Sequence, residues 1–95
     1  MIPLDTIQLE TFAPLVGCGF VTGDVRLELI AVSPLGHKRA EEARDPFALK
    51  FRGAQGLRLG QGIYRFECEG FGVIEFFITQ VGDGSQGSEF EAIFT

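Results

Sequence analysis

The sequence contains no tryptophan, one tyrosine, one histidine and two cysteines among its 95 residues. The single histidine, His37, has no cysteine or carboxylate at metal-ligand spacing. The chain also has no G-x-S-x-G serine that could act with this histidine in catalysis. His37 is therefore interpreted as a surface residue. Cys18 and Cys68 are too far apart for a CxxC motif, and we expect them to be buried free thiols, with a disulfide or a reactive thiol as alternatives. The sequence therefore predicts no catalytic, cofactor-binding or metal-binding residues, and we expect the protein not to be an enzyme.

Long apolar runs are also missing, and the first residues, Met1 to Asp5, carry no basic stretch typical of a signal peptide. These absences predict a cytoplasmic protein that is not inserted in a membrane, although later incorporation into an extracellular assembly stays open. The formal net charge is −5. An acidic chain does not attract a phosphate backbone or an anionic lipid surface, so neither nucleic acid nor a membrane is an expected partner.

What the sequence has in excess is phenylalanine and glycine, with ten and thirteen residues respectively. Phenylalanine supplies packing area without a polar group, and glycine is typical of tight turns. Residues 1–95 are long enough for one domain only. This composition favours a single all-β domain over a helical bundle.

Periodicity predicts one short helix and six strands. Leu9, Phe12, Leu15 and Val16 have helical spacing, and Pro14 limits this helix to about two turns that cap the end of a sheet. The predicted strands are residues 19–22, 25–32, 46–53, 64–68, 73–81 and 89–95, joined by hairpins or short loops. The charged segment 33–45 is interpreted as a solvated loop, and 82–88 as a polar one. We expect a small six-stranded antiparallel β-barrel or a compact sandwich, with the strands arranged as a meander.

Alternating positions in these strands predict the core. The apolar members are Phe47, Leu49, Phe51, Tyr64, Phe66, Ile74, Phe76, Ile78, Phe90 and Phe94. The strand 73–81 is apolar on both faces, which indicates that it is central or that its outer face is covered. Glu75 lies within it and, if buried, needs a partner such as Arg52 or Arg65.

Gly82 to Gly87 matches the nucleotide-binding pattern G-x-G-x-x-G, but a strand follows it where that chemistry needs a helix N-terminus. The match is interpreted as a hairpin. The carboxylate pairs Glu67 with Glu69 and Glu89 with Glu91 resemble the pairs of glycosidases, but so short a chain leaves little room for a sugar cleft. They are interpreted as exposed strand residues.

Charge is segregated along the chain. Residues 38–66 carry seven basic and three acidic side chains, and residues 67–95 carry six acidic side chains and no basic one. The opposite charges pair either between strands of one sheet or between different molecules. For the second case, Arg52, Arg58 and Phe77 are the candidate partner-contact residues, with Phe77 supplying apolar area and the arginines supplying orientation.

Several stretches together resemble a known family. They are Leu9 to Gly17 with Phe20, the run Pro46 to Gly53, Gln61 to Tyr64 with Glu67, Gly72 with Phe76 to Ile78, and Phe90 to Phe94. The chain resembles an uncharacterised bacterial family of small all-β proteins of about this length, often encoded beside proteins with phage tail-collar domains. The charged segment 33–45 and the two cysteines depart from the family pattern. The family has no established catalytic residues to carry over.

Two functions are therefore expected, of which the first is favoured. The resemblance and the charge segregation favour a non-enzymatic structural or adaptor protein of a phage-tail-like or fibre-like assembly. It would act through contacts with a protein partner, such as a tail-collar-like protein, or through self-association. The alternative is a small β-barrel that binds an apolar small molecule, which requires that some of the phenylalanines line a cavity rather than fill it.

Overall fold

A computed structural model describes residues 1–36 and 44–95. Its six strands are β1 (Gly19–Thr22), β2 (Val25–Pro34), β3 (Phe47–Gly53), β4 (Gly62–Cys68), β5 (Gly72–Gly84) and β6 (Gly87–Phe94). The helix α1 (Leu9–Phe12) precedes them, between 3₁₀ turns at Leu4–Thr6 and Ala13–Leu15. The fold is the predicted antiparallel all-β domain with one short helix. His37 and most of the predicted charged loop lie outside the described residues.

All strand pairs are antiparallel, and the sheet closes on itself in the order β1-β2-β3-β6-β5-β4, with β4 paired to β1. The predicted meander is wrong at one point, because β3 pairs with β6 rather than with β4. The segment between β3 and β4 therefore crosses one end of the barrel. Turn-rich composition identifies loops but does not identify which strands pair across them, which is why the meander was the simplest expectation.

Four strands are longer than predicted, and one of them, β4, begins at Gly62 rather than at residue 64. β2 continues through Ser33 and Pro34, which pair with Ala48 and Phe47, so the first residues of the predicted loop belong to a strand. β5 and β6 likewise extend toward each other and leave only Ser85 and Gln86 as the turn, where a longer polar loop was expected. A two-residue connection is the commonest hairpin. The G-x-G-x-x-G match is thus a hairpin, as predicted.

The barrel interior is filled by aromatic rings. Phe66 and Phe76 stack with their ring centroids 4.7 Å apart, and Phe51 lies 5.8 Å from Phe76 and 5.2 Å from Phe20. The predicted core residues are buried with one exception. Tyr64 is half-buried because it lies at the barrel end nearest the β3–β4 loop, where its hydroxyl donates a hydrogen bond to the carbonyl of Gly60 at 2.6 Å. Phe20, Leu27, Leu29 and Ile7 are additional buried residues.

Residues 4–15, which we call the lid, close one end of the barrel. The ring of Phe12 is fully buried and lies 5.7 Å from the rings of both Phe71 and Phe94 and 6.0 Å from that of Phe47. Pro14 has no amide hydrogen, so the α-helix cannot continue and the chain passes into a 3₁₀ turn. The predicted role of this segment as a cap is therefore confirmed.

A single arginine ties the lid to the end of the chain. The Arg44 guanidinium donates hydrogen bonds to the carbonyls of Leu4, Ile7 and Thr95 and lies 5.5 Å from the centre of the Phe94 ring. These contacts join two segments that are distant in sequence. No periodicity in the sequence indicates this role, because it depends on where three backbone carbonyls converge.

The opposite end of the barrel is covered by the segment between β3 and β4. Ser88 donates a hydrogen bond from its hydroxyl to the Leu57 carbonyl at 2.7 Å, and the Gln80 amide donates to the same carbonyl at 3.0 Å. Gln80 also accepts a hydrogen bond from the Leu59 amide at 3.2 Å. This glycine-rich segment is thus fixed on the barrel by polar side chains of β5 and β6. Within residues 1–36 and 44–95, no helix is long and apolar enough to span a membrane.

Candidate functional site

Three large apolar side chains lie next to each other on the outside of the barrel. Ile63 on β4 is directly opposite Phe77 on β5 in the strand register. Thr79 is opposite Glu91 in this antiparallel pair. Phe77, two residues before Thr79, therefore meets Ile93, two residues after Glu91, on the same outer face. All three line one surface groove of about 450 Å³. We call Ile63, Phe77 and Ile93 the apolar row.

The apolar row is open to solvent. Ile63 is 71% exposed, Ile93 57% and Phe77 49%. Met1 and Leu4, which are also exposed, line the same groove and extend its apolar surface. The sequence pattern predicts that this strand is central or that its outer face is covered. The strand β5 is central, since it pairs with β4 and with β6, and nothing in the described part of the chain covers its outer face. A contiguous exposed apolar surface on a small protein is typical of an interaction site.

The alternation of the strands explains why these residues face outward. Ile74, Phe76 and Ile78 of β5 point into the barrel and are buried, so Phe77 between them must point out. On β6, Ile93 stands in the same way between buried Ala92 and Phe94. The sequence identified Phe77 as an outer apolar residue. It did not identify Ile63 and Ile93 as its neighbours, since that requires the strand register.

Charged residues border the apolar row on both sides. On one side Arg65 is directly opposite Glu75 in the register of β4 and β5, and Glu75 lines the groove. On the other side Lys50 is opposite Glu91 in the register of β3 and β6. Within the described residues, neither Glu75 nor Glu91 forms an ion pair. The border therefore presents free carboxylates next to an apolar centre.

Arg52 and Arg58, the other two predicted contact residues, lie toward the opposite end of the barrel. The guanidinium of Arg52 is 3.4 Å from the Glu89 carboxylate, and Lys50 approaches the same carboxylate at 3.9 Å. Arg58 is 2.8 Å from Asp83. At these positions the basic middle segment and the acidic last segment pair inside one molecule, which is one of the two uses expected from the charge segregation.

The pair of Arg58 and Asp83 is held by a small network. Hydrogen bonding from the Arg58 guanidinium lowers the pKa of Asp83 from its ordinary value, and the Ser88 hydroxyl, 3.2 Å from the carboxylate, acts in the same direction. The same hydroxyl, which has one proton to share between its two acceptors, lies 2.7 Å from the Leu57 carbonyl. Asp83 therefore helps to position the segment over the end of the barrel. Arg58 has a structural contact here, and its predicted contact with a partner stays a prediction, as does that of Arg52.

The two cysteines are brought together by the fold. Cys68, at the end of β4, is opposite Phe20 of β1, and Cys18 precedes β1 by one residue. Both are free thiols, as predicted. Cys68 is buried, as predicted, whereas Cys18 is only half-buried. The prediction from spacing missed their proximity, because strand pairing rather than a local motif creates it.

These features define a class of protein: a small antiparallel barrel with a filled interior and an exposed apolar row on its outer face. The chain belongs to the family defined by a domain of unknown function, DUF6916, whose model matches residues 7–94. No match was found among curated proteins or among solved structures. Family membership thus agrees with the predicted resemblance to an uncharacterised family of small proteins.

Proposed function

We propose that this protein is a non-enzymatic adaptor that binds a protein partner through the apolar row. The observation that carries the proposal is the adjacent exposure of Ile63, Phe77 and Ile93 on one outer face. Apolar residues that pack inside a barrel stabilise its fold, whereas apolar residues outside it gain free energy only when another surface covers them. A central apolar cluster with a polar border is the usual anatomy of a protein interface.

The charges around the row indicate what kind of partner fits. The chain carries a net charge of −5, and the carboxylates of Glu75 and Glu91 at the border have no ion-pair partner in the described chain. A partner surface with an apolar centre and basic groups beside it would complement both features. Such charges raise the association rate and fix orientation more than they raise affinity.

The resemblance supplies the setting of the proposal. Relatives encoded beside tail-collar-like proteins suggest a phage-tail-like or fibre-like assembly, and we propose a tail-collar-like protein as the partner. The cytoplasmic location, with later incorporation into such an assembly, belongs to the same proposal. The alternative of an apolar small molecule held inside the barrel is not favoured, because stacked rings such as Phe51, Phe66 and Phe76 occupy the interior.

Sedimentation velocity tests the proposal. The chain is run alone and mixed with a purified protein that carries a phage tail-collar domain, at low and at high salt. We expect a complex that Phe77→Ser abolishes and that Val81→Ser leaves intact. Val81 is the matched control, because it is 47% exposed on the same strand but lies outside the groove.

Three results decide the test. Complex formation that weakens with salt and requires Phe77 supports the proposal. A dimer of the chain alone that Phe77→Ser dissociates would mean that the row binds a second copy instead of a tail-collar partner. A chain that stays monomeric and unbound in every condition contradicts the proposal. Arg52→Glu, run in parallel, tests whether the contact extends to the other end of the barrel.

A further inference from the structure

The side chains of Cys18 and Cys68 meet in a second surface cleft, separate from the apolar row. The cleft is also lined by Gly17, Gly19 and Arg26. Both cysteines line this cleft, and the neighbouring Cys18 adds to the burial that raises the pKa of the Cys68 thiol. The strand register explains this proximity, since residues two positions apart on paired strands are diagonal neighbours on one face. We call this feature the thiol cleft.

The backbone on both sides of the thiol cleft is fixed. The Cys18 amide donates to the Leu15 carbonyl at 2.9 Å, and the Cys18 carbonyl accepts from the Leu29 amide at 3.0 Å. Cys68 is the last residue of β4 and is held by its pairing with β1 and β5. A disulfide between them needs Cβ atoms about 4 Å apart, which is closer than the usual spacing of diagonal neighbours, so its formation requires a local backbone shift as well as side-chain rotation.

We propose that Cys18 and Cys68 form a reversible intramolecular disulfide in the presence of a low-molecular-weight disulfide such as glutathione disulfide. The bond would connect the residue that follows the lid to the end of β4. Because the lid closes the barrel through Phe12, the disulfide would fasten this closed end. The inference is independent of the proposed binding through the apolar row.

The difference in burial between the two thiols assigns their order of reaction. Cys18 is half-buried in the cleft and accessible, whereas Cys68 is buried, and this burial raises the pKa of the Cys68 thiol, with the neighbouring Cys18 acting in the same direction. The accessible Cys18 thiolate attacks the glutathione disulfide, forms a mixed disulfide and releases one glutathione thiolate. The Cys68 thiol then loses its proton, its sulfur attacks the Cys18 sulfur, and the second glutathione thiolate leaves.

The step balances without any further reactant. Two protein thiols are oxidised to one disulfide, one glutathione disulfide is reduced to two thiols, and the two protons go to the two glutathione sulfurs. The guanidinium of Arg26 lies directly over Gly19, so closely that a Cβ would not fit there. This position places a cation in the cleft, where it can attract the anionic glutathione. Glu67 and Glu69 line the same cleft and oppose this attraction in part.

The test uses the purified, reduced full chain in buffers of increasing glutathione disulfide content, quenched by thiol alkylation. Trypsin cuts after Arg26 and Arg65, and no basic residue follows Arg65, so the two cysteines fall in peptides 1–26 and 66–95. We expect these two peptides to become linked in a monomer that has lost two hydrogens. We also expect dithiothreitol to reverse the linkage, and the oxidised form to melt about 5 °C higher because a long loop is closed.

Variants separate this disulfide from other thiol chemistry. Cys18→Ala must abolish the linkage while the chain stays folded, and Cys68→Ser must leave a mixed disulfide with glutathione on Cys18. If Cys68→Ser does not fold, Cys18→Ala and the peptide map still decide the question. Both thiols fully alkylated after the most oxidising buffer, a lasting mixed disulfide on the unmodified sequence, or only intermolecular dimers would each overturn the proposal.

Discussion

Ile63 and Phe77 lie directly opposite each other on β4 and β5, and both side chains are on the outside of the barrel. Their strand neighbours Phe66 and Phe76 stack inside it. The same two strands thus contribute one aromatic pair to the stability of the fold and one apolar pair to its surface. This division separates substitutions that should unfold the protein from substitutions that should only change what it binds.

Phe51→Ala is expected to lower the free energy of unfolding by about 3–5 kcal/mol, because it leaves a cavity in a packed interior. The Phe51 ring stacks on Phe66 and Phe76 at 6.1 and 5.8 Å and is fully buried. Phe77→Ala removes the same side chain from a half-exposed position and should cost less than about 1 kcal/mol. Urea denaturation of both variants makes the comparison. Equal losses would mean that the inward and outward positions of the strands are assigned wrongly.

Arg44→Ala is expected to lower the free energy of unfolding by about 1–2 kcal/mol, since the part-buried Ile7 carbonyl and the exposed carbonyls of Leu4 and Thr95 lose their charged donor. Arg44→Lys should restore little, because one ammonium group cannot reach the carbonyls of Leu4, Ile7 and Thr95 together. Arg58→Ala is the matched control, because its ion pair is largely exposed and should contribute about 0–1 kcal/mol. Hydrogen exchange of the lid amides locates the effect. If the lid amides exchange as slowly in Arg44→Ala as in the unmodified chain, Arg44 does not hold the lid in place.

Asp83 predicts a specific dependence of stability on pH. Because Arg58 lowers its pKa in the folded state, the contribution of Asp83 is fully present above the pKa of the unfolded chain and is lost as the pH falls through the lower folded value. The stability difference between the unmodified chain and Asp83→Asn should therefore shrink in acid. Carboxyl titration by NMR should find the Asp83 pKa closer to its ordinary value in Arg58→Ala. If the pKa of Asp83 does not change in Arg58→Ala, the contact between Arg58 and Asp83 does not form in solution.

Much of the fold follows from local pattern. Alternation in β3, with Phe47, Leu49 and Phe51 inward, predicts both the strand and its buried face, and Pro14 predicts the short helix. What local pattern cannot supply is pairing between distant segments. The β3–β6 pairing, the Arg44 tie and the meeting of the two thiols all depend on it.

The candidate site illustrates the same limit. Phe77 is identifiable from sequence as an apolar residue with no place inside, since its neighbours on β5 fill the interior. Ile63 and Ile93 carry no such signal, because local pattern does not show which outward residues of the neighbouring strands lie beside Phe77. Arg52 and Arg58 are predicted contact residues because charge is segregated along the chain, and this segregation does not indicate that Glu89 and Asp83 already face them.

The most direct test of binding through the apolar row is photo-crosslinking from single positions. A photoreactive phenylalanine analogue replaces Ile63 in one variant and Val81 in a control; the two residues are 71% and 47% exposed. Each variant is irradiated with a purified protein that carries a phage tail-collar domain, the proposed partner. We predict a covalent product from position 63 and little from position 81. The chain without the photoreactive residue should compete for the partner, and its Phe77→Ser variant should not. Equal products from both positions, or a product from position 81 alone, would contradict binding through the row.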